Sequence, residues 1–268
     1  MTPSDSPSEH EVVLEARQLT KHYGGVVANE GVDVAFRSHE IVAIIGDNGA
    51  GKSTLVKMLS GALPPDSGEI IYKGESVKFD GPLDARQRGI EIVYQDLALA
   101  PFLDVVGNLF LGREITFGPR TLGVMDRRAM AREASRQLQE LEITLPRLTR
   151  LPVARLSGGQ QQAVAVARAA AWARTVLFMD EPTAALGVRQ SRAVLELARR
   201  LAKRGTAVVL ITHTLPFVME FADRIIVLRH GRKVADMATS DATPEHLVSL
   251  IVGFAPGLAA DPDSSLVR

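Results

Sequence analysis

The chain has no cysteine among its 268 residues. That excludes a disulfide scaffold, a thiol nucleophile and cysteine-ligated zinc. It has no surplus of charge either: Lys and Arg total 31, Asp and Glu total 31, and the formal net charge is zero. A dedicated nucleic-acid binder carries a basic excess, so no nucleic-acid partner is expected. The clusters Arg199, Arg200, Lys203 and Arg204, and Arg127 with Arg128, read as solvated helix faces. Long apolar runs are also lacking. None approaches the roughly 18 residues of a membrane span, and the densest, 163–173, is broken by Arg168. The opening MTPSDSPSEHEVV has no apolar stretch of the signal-peptide kind. These absences lead to the expectation of a cytoplasmic protein, held at a membrane only by a partner. Five of the six histidines, His10, His22, His39, His230 and His246, show no ligand spacing.

What is present is a globular composition, 46% hydrophobic and 23% charged. Residues 1–10 and 255–268, rich in Pro, Ser, Asp and Ala, are expected to be disordered tails around a domain spanning 11–254. Inside it, short apolar runs alternate with helical patterns. Ile41–Ile45, Thr175–Met179 and Thr206–Thr212 suit central strands covered on both faces. Lys52–Ser60, Arg127–Leu141, Gly158–Trp172 and Val188–Lys203 read as helices. This alternation predicts an α/β fold with a mostly parallel sheet and right-handed crossovers. Segments 11–19, 31–37 and 69–79 read as an N-terminal antiparallel β layer. Residues about 96–155, mainly helical, read as an inserted subdomain.

The first core strand ends in Gly46-Asp47-Asn48-Gly49-Ala50-Gly51-Lys52-Ser53-Thr54, which fits G-x-x-x-x-G-K-[ST]. The glycines let several backbone N–H groups converge on one anion, and the following helix adds the positive end of its dipole. Lys52 is then placed to reach the β- and γ-phosphates of a nucleotide, and Ser53 to offer its hydroxyl to Mg²⁺. The second strand ends in Met179-Asp180-Glu181-Pro182-Thr183. In a parallel sheet the carboxyl ends of strands meet the ligand, so Asp180 would face the Mg²⁺ region. Glu181 points the other way and is free to accept a proton from, or orient, an attacking water. A second anion site follows from Leu156-Ser157-Gly158-Gly159-Gln160 ahead of a long helix: a hydroxyl, two glycine N–H groups and a helix N-terminus. Ser157 also suits an N-cap. Two such sites suggest one ATP clamped between the phosphate loop of one subunit and the serine-glycine turn of another.

The order of these motifs, from about 11 to 252, resembles the ATP-binding subunit of ABC transporters. The resemblance implies further roles. Tyr23 in KHYGG would stack on adenine. Gln95 in IVYQD would touch Mg²⁺ and the attacking water, and His213 in ITHT would contact the γ-phosphate and the catalytic Glu181. Glu181, His213, Gln95 and Lys52 would form the catalytic set, and Ser53, Gln95 and Asp180 the Mg²⁺ set. Gly46 to Thr54, Ser157, Gly158, Gly159 and Gln160 would hold ATP. The partners implied are a second, identical copy, a transmembrane permease on the inner face of the cell membrane, and an extracytoplasmic sugar-binding protein reached through that permease. The runs GDNGAGKSTLVKMLSG, LAPFLDVVGNLFLGRE and TAALG are most similar to the branch that imports monosaccharides. An ATPase of an amino-acid or lipid transporter, or a non-transport ATPase of the same family, is the alternative. There is one departure: Gly187 stands where many members carry an aspartate that helps couple the two nucleotide sites. Leu97–Asn108, with Leu99, Phe102, Leu103 and Val105, is apolar enough to receive a permease helix, or equally to form the core of the insert.

Overall fold

A computed structural model describes residues 10–94, 96–118, 123–141, 143, 151–184 and 186–253. The expected tails fall almost wholly outside these residues, as do Gln95 and Ala185. In chain order the elements are β1 (Val12–Tyr23), β2 (Val26–Arg37), β3 (Ile41–Ile45), α1 (Lys52–Leu59), β4 (Ser67–Tyr72), β5 (Glu75–Val77), α2 (Pro82–Gln87), β6 (Ile90–Val93), α3 (Val105–Leu109), α4 (Arg127–Glu140), α5 (Gly158–Ala170), β7 (Val176–Asp180), α6 (Val188–Lys203), β8 (Ala207–Ile211), α7 (Leu215–Phe221), β9 (Arg224–Arg229), β10 (Arg232–Ala238) and α8 (Pro244–Val252).

Two sheets result. One is antiparallel, in the order β2-β1-β4-β5; the other runs β10-β9-β3-β8-β7-β6 and is parallel except for the β9–β10 hairpin. Both were expected from the hydrophobic pattern. In β2 the period is two, with Val32, Val34 and Phe36 buried and Asp33 turned to solvent, as befits a sheet with one wet face. In β3 and β8 all five residues are buried, because the parallel sheet is covered on both sides. One cover is the antiparallel layer with α1; Phe36 and Phe178 meet edge to face at 5.9 Å between the sheets. The other cover is α5, α6, α7 and α8. The hydrophobic pattern gives no element over 224–238; there β9 lies one strand in from the sheet edge, beside β3, and the tight turn at His230-Gly231 brings the edge strand β10 onto it.

α6 shows how pattern becomes packing. Ser191, Val194, Leu195, Ala198, Leu201 and Ala202 recur at helical spacing and are buried, whereas Arg192, Arg199 and Lys203 lie on the opposite side or its margins. A third apolar cluster joins α3, α4 and the first turns of α5 through Val105, Leu109, Phe110, Met130, Leu138 and Val164. α5 ends at Ala170 rather than Trp172. Trp172 instead turns its ring edge-on to Phe110 at 6.0 Å, under the Arg113 guanidinium at 4.7 Å. The double reading of 97–108 also divides. Val105 is 1% exposed and Leu99 packs against the same cluster, so both serve the insert's core, while Phe102 is 88% exposed.

Candidate functional site

β3, β8, β7 and β6 are neighbours, so the loops at their carboxyl ends open on one edge of the sheet. The loop after β3 depends on glycine at two close approaches. Gly46 has φ 152, and a Cβ there would sit 2.2 Å from the carbonyl oxygen of Leu228. Gly51 has φ 97, and a Cβ would sit 2.3 Å from the carbonyl oxygen of Ala28. The loop is stitched by Ala50 N–H donating to Asp47 O at 3.1 Å and Asn48 N–H donating to Asp47 Oδ1 at 2.7 Å. Gly51 caps α1 without a side-chain acceptor, so the first N–H groups of that helix remain for an anion. Lys52 Nζ donates across the loop to Gly46 O at 2.8 Å and Asp47 O at 2.9 Å. Burial pulls the Lys52 ammonium below its usual pKa, against the carboxylates of Glu181, Asp180 and Asp47, which favour the charged form.

The two carboxylates diverge as the strand geometry requires. Asp180 ends β7, where the Ser53 hydroxyl donates to its Oδ2 at 3.2 Å. Burial pushes the Asp180 carboxyl upward; the Ser53 bond opposes this and the Glu181 charge reinforces it. Glu181 follows in a left-handed backbone, φ 47, uncommon for a side chain of this size, with its N–H held by Ile211 O at 2.9 Å. That turn sends its Oε1 to His213 Nδ1, 2.8 Å away at the end of β8. Its Oε2 is buried and has no hydrogen-bond partner among the described residues. The His213 ring is 72% exposed, so one face of the pair is open.

A cleft of about 330 Å³ brings together Tyr23, Val26, Val27, Ala28, Asn48 to Thr54, Asp180 and Glu181. Tyr23 and Val26 present exposed apolar surface on its wall. The sequence reading named Tyr23 but missed Val26 and Val27, which follow it by a two-glycine turn. It also missed Asn29, which is fully buried beneath the loop: a Cβ on Gly51 would lie 2.6 Å from its Nδ2. A larger cleft of about 750 Å³ lies between β4–β5 and the end of α1. It holds none of the groups above, and the chemistry favours the smaller one.

The serine-glycine turn is elsewhere. Ser157 Oγ accepts the Gln160 N–H at 3.4 Å and Gln160 Oε1 accepts the Ser157 N–H at 3.0 Å, a reciprocal cap on α5. Ser157 and Gly158 are exposed, and no atom lies within 4 Å of a Cβ built on Gly158. None of 157–160 lines the cleft of their own chain. Gly187 is the N-cap of α6 and supplies no side-chain bond to it. Gln95, expected in both the catalytic and the Mg²⁺ sets, lies outside the described residues.

The family model described as ABC transporter matches residues 29–184. The fructose import ATP-binding protein FrcA of Rhizobium meliloti is 48% identical over 250 residues, 91% of this chain and 95% of that protein. The xylose/arabinose import ATP-binding protein XylG of Sulfolobus acidocaldarius is 44% identical over 245 residues, 91% of this chain and 96% of that one. A solved dimeric ATP-binding cassette in a post-hydrolysis state, bound to ADP and Pi, superposes with a TM-score of 0.71 at 27% identity, over 84% of this chain and 98% of its own.

Proposed function

Because the chain belongs to the ABC transporter family and is one of its ATP-binding ATPases, we propose that it powers monosaccharide uptake through a membrane permease. In this reading two identical copies clamp ATP between the phosphate loop of one and the serine-glycine turn of the other. The observation that carries it is the pairing of a phosphate-binding cleft with a serine-glycine turn that is exposed, caps a helix and does not line that cleft. A site that does not serve its own chain's cleft is explained by a partner's. The dimeric form of the similar solved cassette supports the same arrangement. The relatives that import fructose and xylose or arabinose support a sugar as cargo. Among the described residues no helix is long and apolar enough to cross a membrane. Residues 11–254 act here as one ATP-binding domain, with 96–155 its helical insert and the inner face of the cell membrane its place of work. An extracytoplasmic sugar-binding protein would deliver the cargo to the permease.

Each side chain then has a task. The loop N–H groups and Lys52 hold the phosphates, and Tyr23 with Val26 and Val27 offers a face to the base. Glu181 Oε2, the carboxylate oxygen without a partner among the described residues, takes a proton from the attacking water, while His213 fixes the orientation of Glu181 through Oε1. The residues present also fit Mg²⁺. Such an ion takes one or two protein ligands and fills its shell from phosphate and water, and Asp180 with the adjoining Ser53 hydroxyl is a donor set of that kind. When bound, it would neutralise charge on the β- and γ-phosphates; Ser53, Asp180 and Gln95 would hold it. Uptake of labelled fructose, xylose and ribose by cells carrying the chain tests the proposal. Lys52→Ala should abolish uptake of one of these sugars and spare unrelated solutes. Unchanged uptake of all three would refute the assignment to monosaccharides.

A further inference from the structure

The buried positions of β2 are Asn29, Val32, Val34 and Phe36, and Asn29 alone among them is polar. Buried amides are as a rule paired, yet neither Nδ2 nor Oδ1 of Asn29 has a hydrogen-bond partner among the described residues. Across the sheet it faces Lys21. The Lys21 ammonium is turned away, to Pro64 O at 2.8 Å and Asp66 Oδ1 at 2.6 Å. Two unpaired polar atoms cost stability, so a leucine would serve β2 better if packing were the residue's whole task.

The amide lies against the phosphate loop. A Cβ on Gly51 would sit 2.6 Å from Asn29 Nδ2, and a Cβ on Gly231 would sit 3.3 Å from Asn29 Cα. One backbone bond ties these two glycine sites together: Gly231 N–H donates to Ala50 O at 3.2 Å, the long end of the usual range. A carbonyl oxygen accepts two bonds, so Ala50 O, buried beside the amide, can take a second donor. The loop is meanwhile fastened to itself by Lys52 Nζ, which donates to Gly46 O and Asp47 O. Nucleotide phosphates compete for that ammonium and for the first N–H groups of α1, and backbone 47–51 must shift as Lys52 leaves the two carbonyls.

We propose that Asn29 is a positioning residue for the phosphate loop: its amide is unpaired while Lys52 is fastened to the loop carbonyls, and Nδ2 donates to Ala50 O once phosphates draw Lys52 away. A bond made in only one of two conformations shifts the balance toward it. Asn29 therefore gives up stability in the self-fastened loop and returns it as affinity for nucleotide. The proposal rests on the reading that loop 46–54 holds the phosphates of ATP.

The test is equilibrium titration of the full chain with ATP, Mg²⁺ being withheld so that none is hydrolysed, beside thermal melts without nucleotide. Asn29→Leu and Asn29→Val both remove the amide and differ in size. Each should weaken ATP binding at least threefold, and Asn29→Leu should melt above the parent. A residue that only packs does not give these opposite signs, because a loosened loop loses stability and affinity together. A loss below threefold in either variant overturns the proposal. An Asn29→Leu midpoint no higher than the parent's also overturns it, since the amide would then be paired without nucleotide. Lys52→Ala separates the two readings. If it binds ATP as tightly as the parent, the phosphate-loop reading fails. If it loses binding while both Asn29 variants keep the parental affinity, the Asn29 proposal alone fails.

Discussion

Replacing Glu181 by glutamine isolates one oxygen's chemistry from everything else the residue does. Glutamine has the same length, can still meet His213 Nδ1 where Oε1 now lies at 2.8 Å, and bears the same left-handed backbone, φ 47. What disappears is the proton affinity of Oε2, the buried atom without a partner among the described residues. A positioned general base contributes about 10²–10⁴ in rate, which is about 3–5 kcal/mol of transition-state stabilisation. Stability should change little, because removing a buried charge and burying an unpartnered amide N–H act in opposite directions. ATP affinity should hold or rise, since a negative charge is removed beside a triphosphate site, although Lys52 loses one carboxylate that favours its charged form. Phosphate release and nucleotide titration on the same sample read these quantities separately. Turnover should fall at least a hundredfold with binding retained. Turnover within threefold of the parent would refute Glu181 as the base and remove the meaning given to its free oxygen.

Asp180→Asn should raise the unfolding midpoint at pH 7 while abolishing turnover. Burial raises the folded-state pKa of Asp180 above its unfolded value of about 3.9. The group therefore favours the fold fully below that pH and loses this effect as pH rises through the folded pKa. The gain should accordingly shrink toward zero near pH 4 in thermal melts; a gain independent of pH would contradict the cause given. Asn29→Leu should stabilise the chain, because both amide atoms of Asn29 are buried without partners among the described residues. Relief of that penalty is about 1–3 kcal/mol and would raise the melting midpoint by about 2–4 °C per kcal/mol at this size. A lower midpoint would show that Asn29 is bonded in solution. Gly51→Ala should leave the fold intact yet weaken ATP binding by about tenfold or more. A left-handed alanine costs roughly 1–2 kcal/mol, and its Cβ meets the Ala28 carbonyl at 2.3 Å, so the loop must move. Unchanged affinity in a nucleotide titration would show that the loop tolerates the shift.

What could be read from the sequence was whatever is local. The glycine spacing of 46–51 and the carboxylates at 180 and 181 lie next to the strands that position them, and periods of two and 3.6 identified the sheets and the long helices. Ser157 with Gln160 three positions on is likewise a short-range signal, and it folds as a reciprocal cap. The unread features are long-range. Val26 and Val27 reach the cleft only because β2 passes beside the loop after β3, and Asn29 lies under Gly51 for the same reason. The apolar pattern of 97–109 could not separate core from surface, because burial there depends on where α4 and α5 pack: Val105 turns in against Met130 and Leu138, and Phe102 turns out. The divergence of Glu181 from Asp180 and its meeting with His213 were expected, but the left-handed backbone at Glu181 carries no glycine to announce it.

The central claim is that an ATP bound in one copy's cleft is closed over by the other copy's serine-glycine turn. The chain has no cysteine, so introduced thiols report without background. Asn48 is exposed on the phosphate loop, and Gly158 is exposed with space around its Cα. Asn48→Cys and Gly158→Cys, combined in one chain with Glu181→Gln, place one thiol at each half of the proposed clamp. Oxidation with ATP should give a covalent dimer joined between positions 48 and 158, and oxidation with ADP or without nucleotide should leave monomers. Monomers under all three conditions, with ATP shown to be bound, would contradict the account.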